Sequence, residues 1–269
     1  MSEIEKITSR DNRRLVTARK IRDGKISEQI FIEGRRLTFE ALRSDISIEE
    51  CFVAEGFRDQ ELLAAVANRT SAIAEISGSV FGSIADTDRS QGIILIAKRP
   101  RTGADTIKSR IGIGGLPITV FLKEVNNPSN LGAIVRTAEA AGVASVIISR
   151  HSADVYSAKA LRAAMGASFR LPIWDNADFD EVLGWAEKGK MLTTAADAKS
   201  SEIYSDLDWS IPRLLIFGSE AHGLSDADMG KIDDRIKIHM ESEVESLNIA
   251  VSVGIILFEA KRQHFEKYV

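Results

Sequence analysis

Cysteine is almost absent from this chain of 269 residues, because Cys51 is the single one. The chain can therefore form neither an intramolecular disulfide nor a cysteine-based metal cluster. Cys51 lies in the apolar run CFV, where a buried structural thiol is expected. No apolar run approaches the length needed to cross a bilayer, and the N-terminal stretch MSEIEKITSRDNRR lacks the apolar segment of a secretory signal. These absences predict a cytoplasmic protein that does not enter a membrane.

A strong net charge is also missing. The formal net charge of −4 argues against a protein that coats nucleic acid without specificity. The charges are unevenly distributed, because basic residues concentrate between Lys6 and Arg43 and acidic residues between Asp226 and Glu245. The basic run is either a solvated helix face or a contact for nucleic acid, and composition alone leaves both interpretations open.

A glycine fingerprint for phosphate binding is lacking as well. The segment GIGG, at residues 112–115, has the wrong spacing for a dinucleotide-binding loop, and no predicted strand leads into it. This disfavours a nucleotide-binding oxidoreductase. The surrounding stretch contains proline and several glycines with little periodicity, which is typical of a domain boundary. We predict a small α/β domain over residues 1–99, a linker over residues 100–116 and a second domain over residues 117–269.

Short apolar runs alternate with amphipathic stretches along both predicted domains. In the first domain, the pattern predicts helices at residues 12–21, 37–42 and 59–68, and strands at residues 29–33, 48–54 and 92–97. In the second, it predicts strands at residues 118–122, 146–149, 191–195, 214–217 and 235–238, and helices at residues 131–141, 158–164 and from 248 onwards. This alternation predicts an α/β fold whose mostly parallel sheet is covered on both faces. Ligands bind such sheets beyond the carboxyl ends of the strands.

The first polar segment at a predicted strand end reads NNPSNLGAIVRTAEAAGV. Pro128 and Gly132 favour a tight turn, and Asn130 is expected to cap the helix that follows. Arg136, farther along that helix, requires an anionic or polar partner. The alternative for this segment alone is a surface capping turn with an ordinary salt-bridged arginine.

Two more segments follow later strands. In LLIFGSEAHGLS the strand runs into Gly218, whose missing side chain would let a ligand approach the backbone, and Glu220 suits a hydroxyl-bearing or positively charged ligand. Taken alone, this segment is equally well explained by a turn that ends the strand. In IKIHMESEVESLNIAVSVGIILFEAKRQ, Ser246 and Asn248 directly precede a long apolar helix. Their side chains can cap that helix, hold a substrate, or do both.

In this order, the patterns N-x-G-x-x-x-R, FG-x-E-x-x-G and SLN at a helix start resemble those of the SpoU (TrmH) family. These enzymes are RNA 2′-O-methyltransferases of the SPOUT superfamily. The segments FIEGRRLTFEAL and DRSQGIILIA are similar to the family's ribosomal-protein-like RNA-binding domain. The resemblance therefore spans both predicted domains.

The resemblance implies S-adenosylmethionine-dependent methylation of a ribose 2′-hydroxyl in structured RNA, by a homodimer with its active site near the subunit interface. It also implies a deep trefoil knot in the second domain. The cofactor carries the leaving group, so no metal is expected. Ribosomal RNA, and 23S RNA in particular, is favoured because an added domain of this kind is common in ribosomal RNA enzymes. Transfer RNA remains the alternative target. A non-catalytic RNA-binding protein on the same fold is disfavoured by the retained motif residues.

The candidate functional residues form three groups in this sequence, and the resemblance implies the first two. The implied catalytic group is Arg136, Asn130, Glu220, Ser246 and Asn248. The implied cofactor-binding group, which acts largely through the backbone, is Thr194, Phe217, Gly218, Ile238, Met240 and Leu247. The RNA-binding group expected from the basic run is Arg13, Arg14 and Arg35. The family proposal makes Arg136 a general base, but a guanidinium is not deprotonated in proteins. Stabilisation of a developing alkoxide or binding of phosphate is the other interpretation, and Glu220 is expected to pair with Arg136.

The sequence departs from the family pattern at several positions. Lys123 and Asn127 stand where many members carry aspartate, which changes the expected charge of the RNA-facing loop. Ala164, Ala221 and His239 replace a common serine, glycine and proline. We expect His239 to relax the cofactor loop while its backbone contacts remain. None of these departures removes an implied catalytic residue.

Overall fold

The computed structural model describes residues 4–108, 115–241 and 244–268. The chain divides into two compact units, Met1–Pro100 with Tyr156–Arg170, and Arg101–Val155 with Leu171–Val269. Apart from Tyr156–Arg170, this division runs close to the predicted one. Residues 109–114 of the predicted linker, which include most of GIGG, lie outside the described residues.

The helices and strands alternate along most of the chain. The strands are β1 Glu5–Ile7, β2 Gln29–Glu33, β3 Ile48–Ala54, β4 Ile73–Ile76, β5 Ile93–Lys98, β6 Leu116–Leu122, β7 Val143–Ser149, β8 Ile173–Ala177, β9 Leu192–Ala196, β10 Arg213–Phe217 and β11 Asp234–Ile236. The helices are α1 Arg13–Arg22, α2 Arg35–Leu42, α3 Gln60–Ala67, α4 Gly78–Phe81, α5 Ala104–Lys108, α6 Pro128–Ala141, α7 Ala158–Ala164, α8 Phe179–Lys188, α9 Asp226–Met229 and α10 Ile249–Tyr268. Each predicted element has a counterpart here. None of the described helices is both long and apolar enough to span a membrane.

The first unit is built on a five-stranded sheet in the order β1-β4-β3-β5-β2. On one face, α1, α4 and α7 pack against Phe31, Phe52, Ile94 and Ile96. Helices α2 and α3 pack against each other, and α2 also packs against β2 and β5. Strand β2 lies at the sheet edge, and α7 packs against it. An uncovered strand edge can pair with other chains. The segment Tyr156–Arg170, which contains α7, helps to prevent this by packing against β2.

Cys51 is buried in β3, as expected. Burial raises the pKa of its thiol to about 12, so the thiol stays protonated and behaves as a small apolar side chain.

The second unit is built on a six-stranded sheet in the order β11-β9-β10-β6-β7-β8. All of its strand pairs are parallel, which confirms the predicted sheet type. From β6 the chain moves outward through β7 and β8, and it then returns to the other side of β6 through β9 and β10. The loops after β6 and β10 therefore diverge at a topological switch point, where sheets of this kind open a crevice for ligands. The trefoil knot stays a prediction.

A buried cation stabilises the amino end of this sheet. The side chain of Arg213 is 4% exposed and forms an ion pair with Asp234. The same guanidinium donates to the Thr194 hydroxyl at 2.9 Å and to the Asp208 carbonyl at 3.0 Å. These bonds connect β9, β10 and β11 to the segment before β10. Because the charge has little contact with water, its partners must compensate for the lost hydration.

We predict that Arg213→Met lowers the free energy of unfolding by about 3 kcal/mol, since it leaves the Asp234 carboxylate and the Thr194 hydroxyl without their partner. Urea-induced unfolding followed by circular dichroism measures the change. Lys231→Met is the matched control, because Lys231 forms an ion pair with Asp180 on the exposed surface. Equal losses in the two variants would contradict the role assigned to Arg213.

Candidate functional site

The turn after β6 starts helix α6 one turn earlier than the sequence predicts. Asn127 is the N-cap, and its side chain accepts a hydrogen bond from the Ser129 N–H at 2.9 Å. Pro128 occupies the first helical position, where its missing N–H costs nothing. The predicted cap role of Asn130 is therefore wrong, because Asn127 already provides the cap. Asn130 lies within the first turn, and its side chain is available for other contacts.

Asn130, Glu220 and Asn248 form a hydrogen-bonded set, which we call the amide–carboxylate cluster. The Asn130 amide nitrogen donates to the Glu220 carboxylate, and the Asn248 amide nitrogen donates to the Asn130 carbonyl oxygen at 3.2 Å. The Asn248 carbonyl oxygen in turn accepts from the Ala250 N–H at 2.9 Å, so Asn248 caps α10 as predicted. The three segments singled out in the sequence thus meet at the switch point.

The Glu220 loop is closed by paired backbone hydrogen bonds. Ser219 and Gly223 bond to each other in both directions, at 2.9 and 3.1 Å, and the turn between them carries Glu220. A Cβ atom at Gly218 would lie 2.2 Å from the Gly223 carbonyl carbon and 2.5 Å from the Leu224 nitrogen. The absence of a side chain at Gly218 therefore admits the chain's own backbone. The sequence analysis expected the missing side chain to make room for a ligand. At the Cβ position this is wrong, because backbone atoms of the protein fill that space.

Arg136 and Ser246 do not join the amide–carboxylate cluster through hydrogen bonds. Both are exposed, and the side chain of neither makes a hydrogen bond or ion pair with another residue in the described part of the chain. The predicted pair between Glu220 and Arg136 is therefore not formed, because Asn130 bonds the carboxylate instead. Arg136 offers an unpaired cation on the surface of α6.

Lys123 is paired within the protein. It forms an ion pair with Asp228, whose carboxylate also accepts a hydrogen bond from the Ser225 hydroxyl at 2.6 Å. Burial alone would raise the pKa of Asp228, but the bonds from Lys123 and Ser225 and the Lys123 charge outweigh it and lower the pKa below its usual range. The Lys123 N–H also donates to the Phe217 carbonyl at 2.9 Å. Lys123 therefore connects the loop after β6 to the loop after β10.

Sequence reasoning identified Lys123 only as a departure from the family pattern and did not identify Asp228. The partners are 105 residues apart. Local patterns show no signal for such a pair. A weak local signal for Asp228 was available. Ser225 and Asp228 have the spacing of a capping box, and the structure forms that box.

The implied cofactor residues divide into enclosed and open positions. The Thr194 hydroxyl is bonded to Arg213, and the Phe217 ring is buried with its carbonyl bonded to Lys123. Ile238 and Met240 are half-buried and Leu247 is exposed. In the described residues, the N–H groups of these open positions donate to no backbone carbonyl. These open positions therefore keep backbone N–H groups that no backbone carbonyl of the described residues occupies.

The remaining departures lie in different places. Ala164 ends the short helix α7 in the first unit, and Ala221 is exposed in the Glu220 loop. His239 is exposed in the loop after β11, with its imidazole 3.9 Å from the Glu241 carboxylate. The structure provides no specific role for these side chains.

Two of the expected RNA-binding arginines are engaged inside the first unit. Arg14 pairs with Glu5 and Glu50, and Arg35 pairs with Asp59. Arg13 is exposed and has no such partner among the described residues. The basic run therefore presents fewer free cations than its composition indicates.

Comparison with known proteins covers both units. Residues 117–258 match the SpoU rRNA Methylase family, and residues 31–103 match RNA 2′-O ribose methyltransferase substrate binding. The chain is 30% identical over 236 residues to an "Uncharacterized tRNA/rRNA methyltransferase" of Mycolicibacterium paratuberculosis, covering 86% of this chain and 76% of that protein. It is 29% identical over 279 residues to the zebrafish (Danio rerio) "rRNA methyltransferase 3A, mitochondrial", covering 87% of this chain and 64% of that protein.

Among solved structures, the chain is similar to an AdoMet-bound rRNA methyltransferase from Sinorhizobium meliloti. The TM-score is 0.85 at 26% identity, and the match covers 96% of this chain and 98% of that one. The fold is therefore shared over nearly the whole chain.

We predict that Gly218→Ala weakens S-adenosylmethionine binding by about tenfold or more, because the added methyl group displaces the backbone at Gly223 and Leu224. Isothermal titration measures the affinity. Gly184→Ala in α8 is the matched control, because a Cβ atom there meets nothing within 4 Å. It should keep the affinity and stabilise the fold by up to about 1 kcal/mol. Unchanged binding by Gly218→Ala would show that the loop after β10 is not part of the cofactor site.

Proposed function

The chain belongs to the SpoU rRNA methylase family, and we propose that it transfers a methyl group from S-adenosylmethionine to a ribose 2′-hydroxyl of structured RNA. The amide–carboxylate cluster is the observation that carries this proposal. It gathers three polar side chains, from three separate segments, at the switch point of a parallel sheet.

The residues of the open loops fit the cofactor. Ile238, Met240 and Leu247 combine apolar side chains with unused backbone groups, which suits an adenine ring recognised by its edge. Gly218 keeps the neighbouring loop close to β10. When bound, S-adenosylmethionine supplies an activated methyl group on a positively charged sulfur. Thr194 and Phe217 would act only through backbone position, since their side chains are enclosed.

The amide–carboxylate cluster would orient the ribose. Each asparagine presents both a donor and an acceptor, and the fixed ends at Glu220 and the Ala250 N–H determine which way each amide points. A hydroxyl approaching Glu220 meets an acceptor that is already held in place. Because the hydroxyl would already be oriented, less entropy has to be lost on the way to the transition state.

Arg136 would stabilise charge. A guanidinium is not deprotonated in proteins, so it cannot take the hydroxyl proton. It can bind the adjacent phosphate and lower the energy of the alkoxide that develops on the 2′-oxygen. The proton then leaves to water or to a neighbouring RNA oxygen. Ser246 is exposed and lies two residues before Asn248, so its hydroxyl would be a further hydrogen-bonding group.

We propose residues 1–99 as the substrate-binding domain and a ribosomal RNA, 23S in particular, as the target in the cytoplasm. Support comes from the match of residues 31–103 to a substrate-binding family. Transfer RNA is the second candidate, because the name of the mycobacterial relative includes both RNA classes. A non-catalytic RNA-binding role is disfavoured by the intact amide–carboxylate cluster.

A homodimer is proposed from the surface of α10. Val251, Phe258 and Phe265 are each about half exposed and lie seven residues apart, so they form one apolar stripe along the helix. Lys261 lies over both phenylalanine rings, at 5.6 and 5.8 Å from their centroids. Contiguous exposed apolar surface of this kind marks an interface. The same helix packs against α6, which carries the unpartnered Arg136, so a second copy on this stripe would approach the catalytic site.

We predict that Arg136→Ala lowers methyl transfer at least about a hundredfold while S-adenosylmethionine binding survives, since a charge stabiliser acts on the transition state. Arg136→Lys should recover only part of the rate, because it lacks the planar fork. Label transfer to total RNA and isothermal titration supply the two readouts. The control is Arg150→Ala, another exposed arginine of this unit. Loss of binding together with activity would instead identify a folding or cofactor residue.

We predict that Val251→Ser with Phe258→Ser converts a dimer to a monomer in sedimentation-velocity experiments, because the stripe loses apolar area. Leu192→Ser is the control, since Leu192 is 40% exposed but lies outside the stripe. A wild-type protein that remains monomeric at every concentration would overturn the proposed dimer.

A further inference from the structure

Phe39 is the one large hydrophobic side chain that the described part of the first unit leaves exposed, at 43%. It lies on α2, whose inner face buries Leu37, Thr38 and Ala41 against the rest of the unit. Phe39 is not among the buried residues of α2, and part of its ring is open to solvent. An exposed aromatic face offers apolar area to a ligand.

Free cations lie one helical turn away on each side of Phe39. Arg36 precedes it by three residues and Arg43 follows it by four, which places all three side chains on the same outward face. Both arginines are exposed, and neither forms an ion pair or hydrogen bond through its side chain in the described residues. We call Arg36, Phe39 and Arg43 the α2 patch.

Two acidic neighbours of the α2 patch are already neutralised. Glu40, next to Phe39, pairs with Arg170, and Asp59 pairs with Arg35. Asp45 lies beyond the end of the helix and is exposed, which still leaves a net positive charge on the patch. The α2 patch therefore combines an open aromatic face with positive charge on both sides.

We infer that the α2 patch binds an unpaired nucleotide of the RNA, with the base stacked on Phe39 and the flanking phosphates held by Arg36 and Arg43. Every base has a flat apolar face, so a single exposed ring can stack on it without reading sequence. The arginine spacing suits phosphates on either side of such a base. A protein partner would instead require a larger apolar area than one ring offers. The inference rests on the proposed function and names the RNA contact that this function needs.

This assignment moves the RNA contact away from α1. Helix α1 covers the opposite face of the sheet, where it packs on Phe31 and Phe52. Its arginines mostly contact the protein itself: Arg14 pairs with Glu50, and Arg22 donates to the Ala85 carbonyl at 3.0 Å. Arg13 and Lys20 remain exposed on α1 and provide the natural comparison.

Binding of a short, fluorescently labelled RNA of mixed sequence to the full chain tests the inference, with the single strand and its blunt duplex measured in parallel. Phe39→Ala should weaken single-strand binding about tenfold, and Phe39→Tyr should restore it. Duplex binding should change much less, since paired bases cannot stack on the ring. Arg36→Ala with Arg43→Ala should reduce the slope of log affinity against log salt by about 1.4 for the single strand. Lys188→Ala with Lys190→Ala, two exposed lysines of the second unit, is the matched control and should leave the slope unchanged. Arg13→Ala with Lys20→Ala tests α1 as the competing RNA contact.

Each contrary result is decisive. Unchanged single-strand affinity in Phe39→Ala rules out stacking. If the slope of log affinity against log salt falls only in the variant Arg13→Ala with Lys20→Ala, the RNA lies on α1. A changed sedimentation coefficient in Phe39→Ala without RNA would identify a protein interface. The readout is binding without methyl transfer, so a chain that binds as expected but methylates nothing would refute the proposed function alone.

Discussion

The side-chain amide of Asn130 is the interaction on which the site depends. It donates to Glu220 in the loop after β10 and accepts from Asn248 at the start of α10. It can do both because Asn127 has taken over the capping of α6. Loss of either contact would remove a direct hydrogen bond between two of these segments and leave the loops freer to separate.

Charge in the site is arranged differently from the family pattern, and the structure explains how. Lys123 pairs with Asp228 instead of facing the RNA, and Asn127 is used as a cap. Both residues therefore support the loops that carry Asn130 and Glu220. Arg136 keeps its charge unpaired among the described residues. A cation without an internal partner favours an external anion, which a nucleic acid backbone supplies.

The alternation of strands and helices was enough to predict a parallel sheet, because side-chain periodicity is a local property. Strand β8 was missed, since its sequence IWDNA mixes apolar and polar residues. The short elements β1, β4, α4, α5 and α9 and the helix α8 were not predicted either. Contacts between residues distant in sequence could not be predicted, because they depend on the tertiary fold. Examples are the pair Arg14 with Glu50, the pair Lys123 with Asp228, and the close backbone approach at Gly218. The three motif segments were found because each lies at a strand end or a helix start. The roles of Asn130 and Gly218 within these segments were not predicted correctly. Both the position of the helix cap and the backbone packing depend on atoms outside the motif.

The chemical position of the transferred methyl group tests the central claim most directly. Purified protein would be incubated with methyl-labelled S-adenosylmethionine and unmodified ribosomal or transfer RNA, and the RNA then hydrolysed in alkali. Alkaline cleavage requires a free 2′-hydroxyl, so ribose methylation protects the adjacent bond. The account predicts that the label is recovered in alkali-resistant dinucleotides from ribosomal RNA. Label in mononucleotides would show base methylation and contradict it.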